Sequence, residues 1–596
     1  MKKILFSLFA LICITTETFS QQAFNELNAN DINCSVTATG DLFNRFQSDL
    51  LAGFEVPAGS DLRTIYAANF WVGGLSPDQQ LKLAAETYQA DGTDWFPGPL
   101  TVDGSASTTQ SIMDAYNQVW KANRSDVEIH VMYFDALEDG QGAVDELFPN
   151  GYTIPDWFFD WPAHGDVNNG FAYFLAPFVD QNNNGEYDPE NGDYPSFCGD
   201  ECLFFIFNDK GNVHTESQGQ PIGLEVHGML YAFNSDTDDM LANTVFLNYK
   251  IINRGTQTLT DTYMGVWSDF DIGNSTDDYL GTNALRSAIY GYNGDDFDEN
   301  GYENNVPLQA IAFLGGPFMD ADGIDNPLPD NAYSLETNSY GNAAAGFDDD
   351  DIDNERYGLS RSVYYVSGSN PINGDMSTAM HYYNYMRGMW KNGQMMMYGG
   401  NGVSGVGVED YEADYMFPGT SDPLNIGTDG TEAPEWTEFI ANNASGDRRM
   451  LGSAGPFTLE PDAVHYLDLA FVFTQKENEE DDLFALADTR LKEAKLFYNE
   501  FLEDCEYHVV ALGQPDLKQV QISVYPNPAQ DELTITTPLT WHKFEVSVFD
   551  VASNLVKSIS LNGGTQKINL NDLSAGTYAL RIQYGDHLLT QKIIVQ

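Results

Sequence analysis

The stretch that most restricts how this chain can fold is Phe178 to Pro195, FVDQNNNGEYDPENGDYP, where acidic and amide side chains alternate with turn residues. A hard cation such as Ca²⁺ takes six to eight oxygens at about 2.3 to 2.6 Å, and a short loop supplies them only when alternate side chains point inward. Asp180, Asn182 and Asn184 hold that spacing. Gly185 follows at the sixth position, where the chain must turn sharply, and the carbonyl of Glu186 and the side chain of Asp188 fall at the seventh and ninth. At the twelfth position Asn191 stands where a bidentate Glu is expected, so Glu190 or Asp193 has to close the shell. The spacing predicts a Ca²⁺ loop over 180–193.

The flanks, FAYFLAPFV and FCGDECLFFIF, are short apolar runs broken by Gly, Pro and Cys. They read as strands, whereas an EF-hand carries amphipathic helices on both sides. Two amides among the first three ligands keep the loop's charge low, which suits the weak affinities of extracellular modules, on the order of 0.1 to 1 mM. The competing reading is a solvated turn rich in Asx residues. A second copy of the same phase lies at Asp296, Asp298, Asn300 and Gly301. Two shorter clusters, Asp320, Asp322, Gly323 and Asp325 and then Asp348 to Asp353, lack full phasing and read equally as ligands or as solvated acidic turns.

Acidic residues outnumber basic ones 89 to 27, a formal charge of -62. Such a field repels nucleic acid and anionic lipid, so neither is expected as a partner. Hydrophobic residues at 42% and aromatic residues at 13% are ample for a core. The composition describes a folded acidic protein whose self-repulsion bound cations would offset.

Residues 1–20 open with Lys2 and Lys3, run through ILFSLFALICI and end at Ser20, which reads as a cleaved secretory signal. No later stretch reaches the roughly 18 apolar residues of a membrane span. Cys34, Cys198, Cys202 and Cys505 remain, and an oxidising compartment favours disulfides. Three connectivities are possible; the local pair Cys198 and Cys202 in CGDEC is the expected bridge, with half a zinc site as the weaker reading, and Cys34 with Cys505 follows by default.

Residues 21–508 read as a β-rich body, possible as more than one domain, with an antiparallel sandwich between long acidic loops. Helical spacing occurs in a window from Thr109 to Ala122 and over 479–504, where Leu483, Leu486, Ala487, Leu491, Ala494 and Phe497 share a face. LANTVFLNYKIIN and the TLTDTYMGVWSDF that follows read as a hairpin turning at Asn253 to Thr258, and Gly455 to Thr474 repeats that rhythm around a Pro. Trp157 and Trp161 read as core or as sugar-stacking residues. Residues 509–519 form a linker, and 520–596 a separate all-β unit.

In that last unit VYPNPAQDELTI, EVSVFDVASNLVKSISL, DLSAGTYALRI and the terminal KIIVQ resemble the type A C-terminal sorting domain of type IX secretion. Tyr525, Pro526, Asn527 and Pro528 match its entry motif, and Ser574, Gly576 and Tyr578 its penultimate hairpin, while Asn554 stands where that family usually has Gly. The resemblance implies an Ig-like sandwich recognised by the export machinery of Bacteroidetes, and a route through the periplasm to the cell surface or the medium. The body is also similar to an uncharacterised group of large secreted proteins of those bacteria, through FWVGGLSPDQQLKLAAETY, GTDWFPGPL and the loop above.

Signatures of chemistry are sparse. The GxGxxG of Gly400, Gly402 and Gly405 is followed by acidic sequence without helical period and reads as a turn. His227 beside Glu225 reads as a structural hydrogen-bonder or an acid-base pair. Asp156, Asp160, Asp269 and Asp271 lie near aromatics, as a carboxylate pair for glycoside hydrolysis would, but Asp269 and Asp271 read better as another Ca²⁺ shell. No catalytic residue is assigned. The expectation is a Ca²⁺-binding secreted or surface protein with an adhesive, glycan-binding or surface-structural role, and the alternative a polysaccharide-degrading hydrolase.

Overall fold

A computed structural model describes residues 22 to 502 apart from 45–52, 89–91, 236–237, 300, 350, 406, 477 and 479–480, together with the strands of the tail between 523 and 595. The signal at 1–20, the linker at 509–519, and Cys505, Pro526, Asn527, Pro528, Asn554 and Asn300 lie outside the described residues.

The body is mainly antiparallel β. One eight-stranded sheet runs in the order Phe24–Leu27, Asn33–Thr37, Phe54–Glu55, Arg63–Leu75, Leu259–Phe270, Arg448–Leu459 and Arg361–Val366, with Leu81–Ala84 paired to Arg63–Leu75. A nine-stranded sheet runs Asp278–Asn283, Ala288–Asn293, Pro307–Gly315, Val464–Gln475, Thr244–Asn253, Leu224–Ala232, Glu201–Asn208 and Phe96–Pro97, with Trp120–Asn123 also on Glu201–Asn208. The two sheets enclose one core, in which Phe70 of the first packs on Tyr249 of the second at 5.3 Å between ring centres.

Both sheets are also covered on their outer faces. The helix Leu483–Phe497 and the segment around Phe158, Trp161 and Phe178 close a second apolar layer behind the nine-stranded sheet. The insert between Val366 and Arg448 lays Tyr382, Tyr383, Tyr385 and Trp390 over Trp71 and Trp267 of the eight-stranded sheet. Strands buried on both faces read as near-continuous apolar runs instead of strict alternation. Glu201–Asn208 and Leu224–Ala232 are buried at every position.

The two expected hairpins are instead arches between the sheets. Thr244–Asn253 pairs with Val464–Gln475 in one sheet, and Leu259–Phe270 pairs with Arg448–Leu459 in the other. The chain therefore crosses the sandwich at 254–258 and again at 460–463, and the crossings stack: Asp462 N donates to Asn253 O at 2.8 Å, and Asn253 Nδ2 to Glu460 O at 3.0 Å. Local alternation identifies a strand but is silent on its partner.

The helical window at 109–122 shortens to Gln110–Ala115, capped by Thr109 Oγ1 on the amide of Ile112. Beyond it, Trp120–Asn123 is drawn into the sheet against Glu201–Phe204. The expected bridges are corrected too. Cys202 is a free buried thiol, so it does not join Cys198, and Cys34 is free and buried, so it does not join Cys505. Cys202 enters its strand at once and sits in the apolar layer opposite Tyr231.

The tail has a three-stranded sheet, Ser523–Tyr525, Glu532–Thr537 and Gly564–Asn569, and a four-stranded sheet, Leu555–Leu561, Phe544–Phe549, Gly576–Tyr584 and His587–Val595. Leu533, Ile535 and Ile568 of one share a core with Val546, Leu580, Ile582 and Ile593 of the other. Gly576 opens its strand, and Tyr578 Oη donates to Ser574 O at 2.7 Å.

Candidate metal centre

The 180–193 loop closes on itself between the two-residue strands Phe178–Val179 and Tyr194–Pro195. Asp180 is buried, and its carboxylate accepts the amides of Asn184 at 3.2 Å and Gly185 at 2.7 Å. The turn at Gly185 needs a φ of 82°, the left-handed region glycine enters without penalty. Asn182 Oδ1 accepts the amide of Asn184 at 3.0 Å, and Asn184 Oδ1 that of Glu186 at 2.7 Å. The other ends of these amides turn inward: Asn182, Asn184 and Asn191 all donate to Asp188, at 3.0, 3.1 and 2.8 Å. Three N–H donors thus stand where a cation would meet that carboxylate.

Asp193 is buried across the loop and accepts the amides of Gln181 and Asp188, each at 2.9 Å. Burial pushes its carboxyl up to about 6 despite those two bonds. Burial also acts on Asp188, but bonds from Asn191, Asp193, Asn184 and Asn182 outweigh it and hold that carboxyl below its usual range. Glu186 and Glu190 are exposed. Of the two acids that could close the shell, Asp193 is the one inside the loop.

The second copy separates. Asp296 is exposed, whereas Asp298 is buried against the body, accepting the amides of Asn274 at 3.0 Å and Tyr302 at 2.5 Å. The two shorter clusters instead come together: Asp353 Oδ1 accepts the amides of Asp322 at 2.7 Å and Gly323 at 2.8 Å, and Asp348 Oδ2 that of Leu328 at 3.0 Å. Asp320 leaves this unit to bind the amide of Thr458 at 2.6 Å. Asp325 is half-buried.

Strand register builds a further acidic group. Asp269 lies opposite Arg449, and continuing the ladder past Phe270 and Arg448 sets Asp271 across from Asp447. Positions two apart share a face. Asp269, Asp271 and Asp447 can each bring an oxygen within 4.8 Å of the other two. Oxygens on one Ca²⁺ lie at most about 5 Å apart, twice the bond length. Tyr88 Oη donates to Asp269 Oδ2 at 2.5 Å, and Arg449 meets Asp269 at 3.2 Å and Asp447 at 2.7 Å. Burial, with Asp447 next, pushes the Asp271 carboxyl up to about 7 against the pull of Arg449. One guanidinium faces three carboxyls, an arrangement that a divalent ion would balance.

Residues 523–596 match the family described as a secretion system C-terminal sorting domain. The chain is a type IX secretion cargo. Its tail interacts with that secretion machinery, and its destination is the cell surface or the medium. Among the described residues, no helix is long and apolar enough to cross a membrane. No curated protein matches the chain. Among solved structures, it is similar to a polysaccharide lyase at 7% identity, over 62% of this chain and 34% of the lyase, with a TM-score of 0.14. It is similar to the BSP domain of a biofilm-associated protein at 10% identity, over 60% and 61%, with a TM-score of 0.14. A third likeness, to PorZ, a surface component of the type IX system of Porphyromonas gingivalis, has 10% identity over 96% and 75%, with a TM-score of 0.12. Likeness at these scores carries no argument, and the cargo spans about a third of the lyase's length.

The other residues singled out in the cargo's sequence serve its framework. His227 Nε2 meets Glu225 Oε1 at 2.9 Å, and Arg254 reaches the same oxygen at 2.8 Å, all three buried. Trp161 is buried and donates to Pro177 O, while Trp157 is half-buried on Asp126. Asp156 and Asp160 are exposed on one short helix. Gly400, Gly402 and Gly405 all have positive φ in a turn whose carbonyls accept the indoles of Trp436 and Trp390. Asp447 carried no local signal, since it follows an ordinary turn and acquires its meaning from the strand it begins.

Proposed function

We propose that this cargo is a Ca²⁺-binding protein of the cell surface or medium that presents an adhesive, glycan-binding face. What supports the reading is the convergence of Asp269, Asp271 and Asp447 at the end of two paired strands; the 180–193 loop has the ligand phasing in its sequence, and an ion there would have to displace the amide N–H groups now on Asp188. The Asp269, Asp271 and Asp447 group joins two strands distant in sequence, and the 180–193 loop closes on itself, so an ion at the first would stabilise the sandwich and one at the second the loop. The hydrolase reading lacks that kind of support. One close pair of acids, Asp41 and Glu86, is buried and held by Thr37, Thr39 and backbone amides.

Thermal unfolding of the full chain in EDTA and in Ca²⁺ tests the reading. An ion bound only by the folded state adds roughly 2.7 kcal/mol per independent site at about a hundred times its Kd. A rise of several degrees in Ca²⁺ is expected, with none in an equal ionic strength of Na⁺. Identical melting curves would remove the basis of the proposal.

A further inference from the structure

Two strand ends of the nine-stranded sheet hold a buried acid that nothing basic answers. In the ladder of Asp278–Asn283 with Ala288–Asn293, Asp278 stands opposite Asn293. One step outward Gly294 N donates to Asp277 O at 2.7 Å, whereas Asp278 O turns away from the partner strand and accepts Gly446 N at 3.0 Å. Asp278 and Asn293 are thus a pair without ladder bonds of their own, the class in which facing Cα atoms stand about 4.5 Å apart and side chains approach most closely. Both are buried, Asp278 completely.

Their polar atoms are only half used. Asp278 Oδ2 accepts the amide of Ile272 at 3.1 Å, and Asn293 Nδ2 donates to Asp295 O at 3.0 Å. Turning the Asn293 amide over would set its oxygen against that carbonyl, so the orientation is fixed. Asp278 Oδ1 and Asn293 Oδ1 remain, both shut off from solvent and without a hydrogen-bond partner, and Asp277 Oδ1, one residue back, is a third such oxygen. All three are acceptors, so none satisfies another. Burial pushes the Asp278 carboxyl well above its ordinary range, and Asp271, Asp277 and Asp298 push the same way, with the Ile272 amide opposing them. Among the described residues, no Lys, Arg or His offsets that charge.

A buried carboxylate is paired with a base, carries a proton or holds a metal ion. A proton on Asp278 would join it to Asn293 and leave Asp277 Oδ1 unmatched, whereas one cation uses all three oxygens. An all-oxygen set that mixes carboxylates with an amide carbonyl is the kind a hard cation takes, and Ca²⁺ accepts irregular geometry more readily than Mg²⁺. We propose that Asp278, Asn293 and Asp277 bind a further Ca²⁺ ion of the cargo, distinct from one held by Asp269, Asp271 and Asp447. Water reaching the half-buried Asp277 completes the shell. The proposal rests on the Ca²⁺-binding reading above and adds a site to it. Through Ile272 N and Gly446 N, Asp278 already joins the nine-stranded sheet to the ends of two strands of the other, Leu259–Phe270 and Arg448–Leu459, and the ion fastens that joint.

Equilibrium dialysis of the full chain against radioactive Ca²⁺ at pH 8, in about 0.15 M NaCl to screen loosely held counter-ions, tests it. The chain is expected to bind Ca²⁺, and Asp278→Asn, which hands Asn293 Oδ1 an N–H donor, to bind one ion fewer. Asn293→Asp adds a carboxylate to the same site; it should tighten one ion roughly tenfold and lower the melting temperature in EDTA. Asp271→Asn should remove a different ion, so that combining it with Asp278→Asn removes two. If Asp278→Asn and Asn293→Asp both keep the native number and affinity of bound ions, this site is overturned, a proton holds Asp278, and the Ca²⁺-binding reading stands. Loss of the same single ion from Asp271→Asn, Asp278→Asn and their combination would make the two groups one centre and overturn the distinct site. A native chain that binds no Ca²⁺ would overturn both the site and the reading beneath it.

Discussion

At the scale of single residues, the centre is governed by like charges that share too little water. Asp271 is held up at about 7 by burial and by Asp447, so at pH 8 its ionised form is an unfavourable neighbour unless an ion is bound. Asp271→Asn should therefore raise the melting temperature in EDTA at pH 8 and shrink the increment that Ca²⁺ adds. A variant that loses stability in EDTA and keeps the full increment would show that Asp271 is not a ligand. Asp269 and Asp271 were legible in the sequence because two positions on one strand share a face; Asp447 was not, because its place depends on register with a distant strand. The cysteines fail for a related reason: CGDEC looks like a bridge only while Cys202 is imagined in a loop. Buried as it is, its thiol and that of Cys34 should resist alkylation in the native protein and react fully in denaturant without reductant. Protection of either in denaturant, read by mass spectrometry, would contradict the structure.

At the scale of elements, the strands and the long helix were legible, and their docking was not. The helix over 483–497 buries Leu483, Ala487, Leu491 and Ala494, the face that its periodicity predicts. What seats it is a polar cluster no periodicity reveals. Arg356 Nη1 meets Asp468 at 2.5 Å and Tyr498 Oη at 2.8 Å; Tyr498 donates to the same Asp468 oxygen at 2.8 Å, and Asn248 to the other at 2.5 Å. Arg356 also caps the carbonyls of Gly315 and Gly316, where a side chain at 315 would strike its guanidinium at 2.5 Å. Removing one member of a buried ion pair leaves the other without compensation, which costs about 3 to 5 kcal/mol. Arg356→Ala should lower the unfolding free energy measured in urea by an amount of that order, and Tyr498→Phe by about 1 kcal/mol. Equal, small effects would mean that the apolar face alone seats the helix. The arches escaped the sequence for the opposite reason: 254–258 and 460–463 have ordinary turn composition, and only stacking against one another makes them crossings.

At the scale of the whole molecule, the charge of -62 becomes a statement about pH. Burial lifts Asp193 and Asp277 to about 6, Asp271 to about 7 and Glu216 to about 8, from ordinary values of 3.8 for Asp and 4.5 for Glu. Each of these carboxyls holds its proton more tightly in the folded chain than in the unfolded one. Their contribution to stability is complete below about pH 4, and it is lost as the pH rises through 6 to 8, where the unfolded chain has already ionised and the folded one is forced to follow. In EDTA the melting temperature should fall between pH 5 and pH 8. A divalent ion reverses the preference at its own ligands, because it binds the ionised form, so the gap between the Ca²⁺ and EDTA curves should widen over the same interval. Glu216 separates the two effects. It belongs to neither candidate centre, is buried among Thr87, Asp94 and Asp41, and accepts Thr87 N and Oγ1 at 2.6 Å each. Glu216→Gln should therefore flatten the EDTA curve while leaving the Ca²⁺ gap as it is in the native protein. Parallel curves with and without Ca²⁺ would mean that the acids forced up by burial are not the ones an ion would hold, and that this fold carries its charge by sharing protons alone.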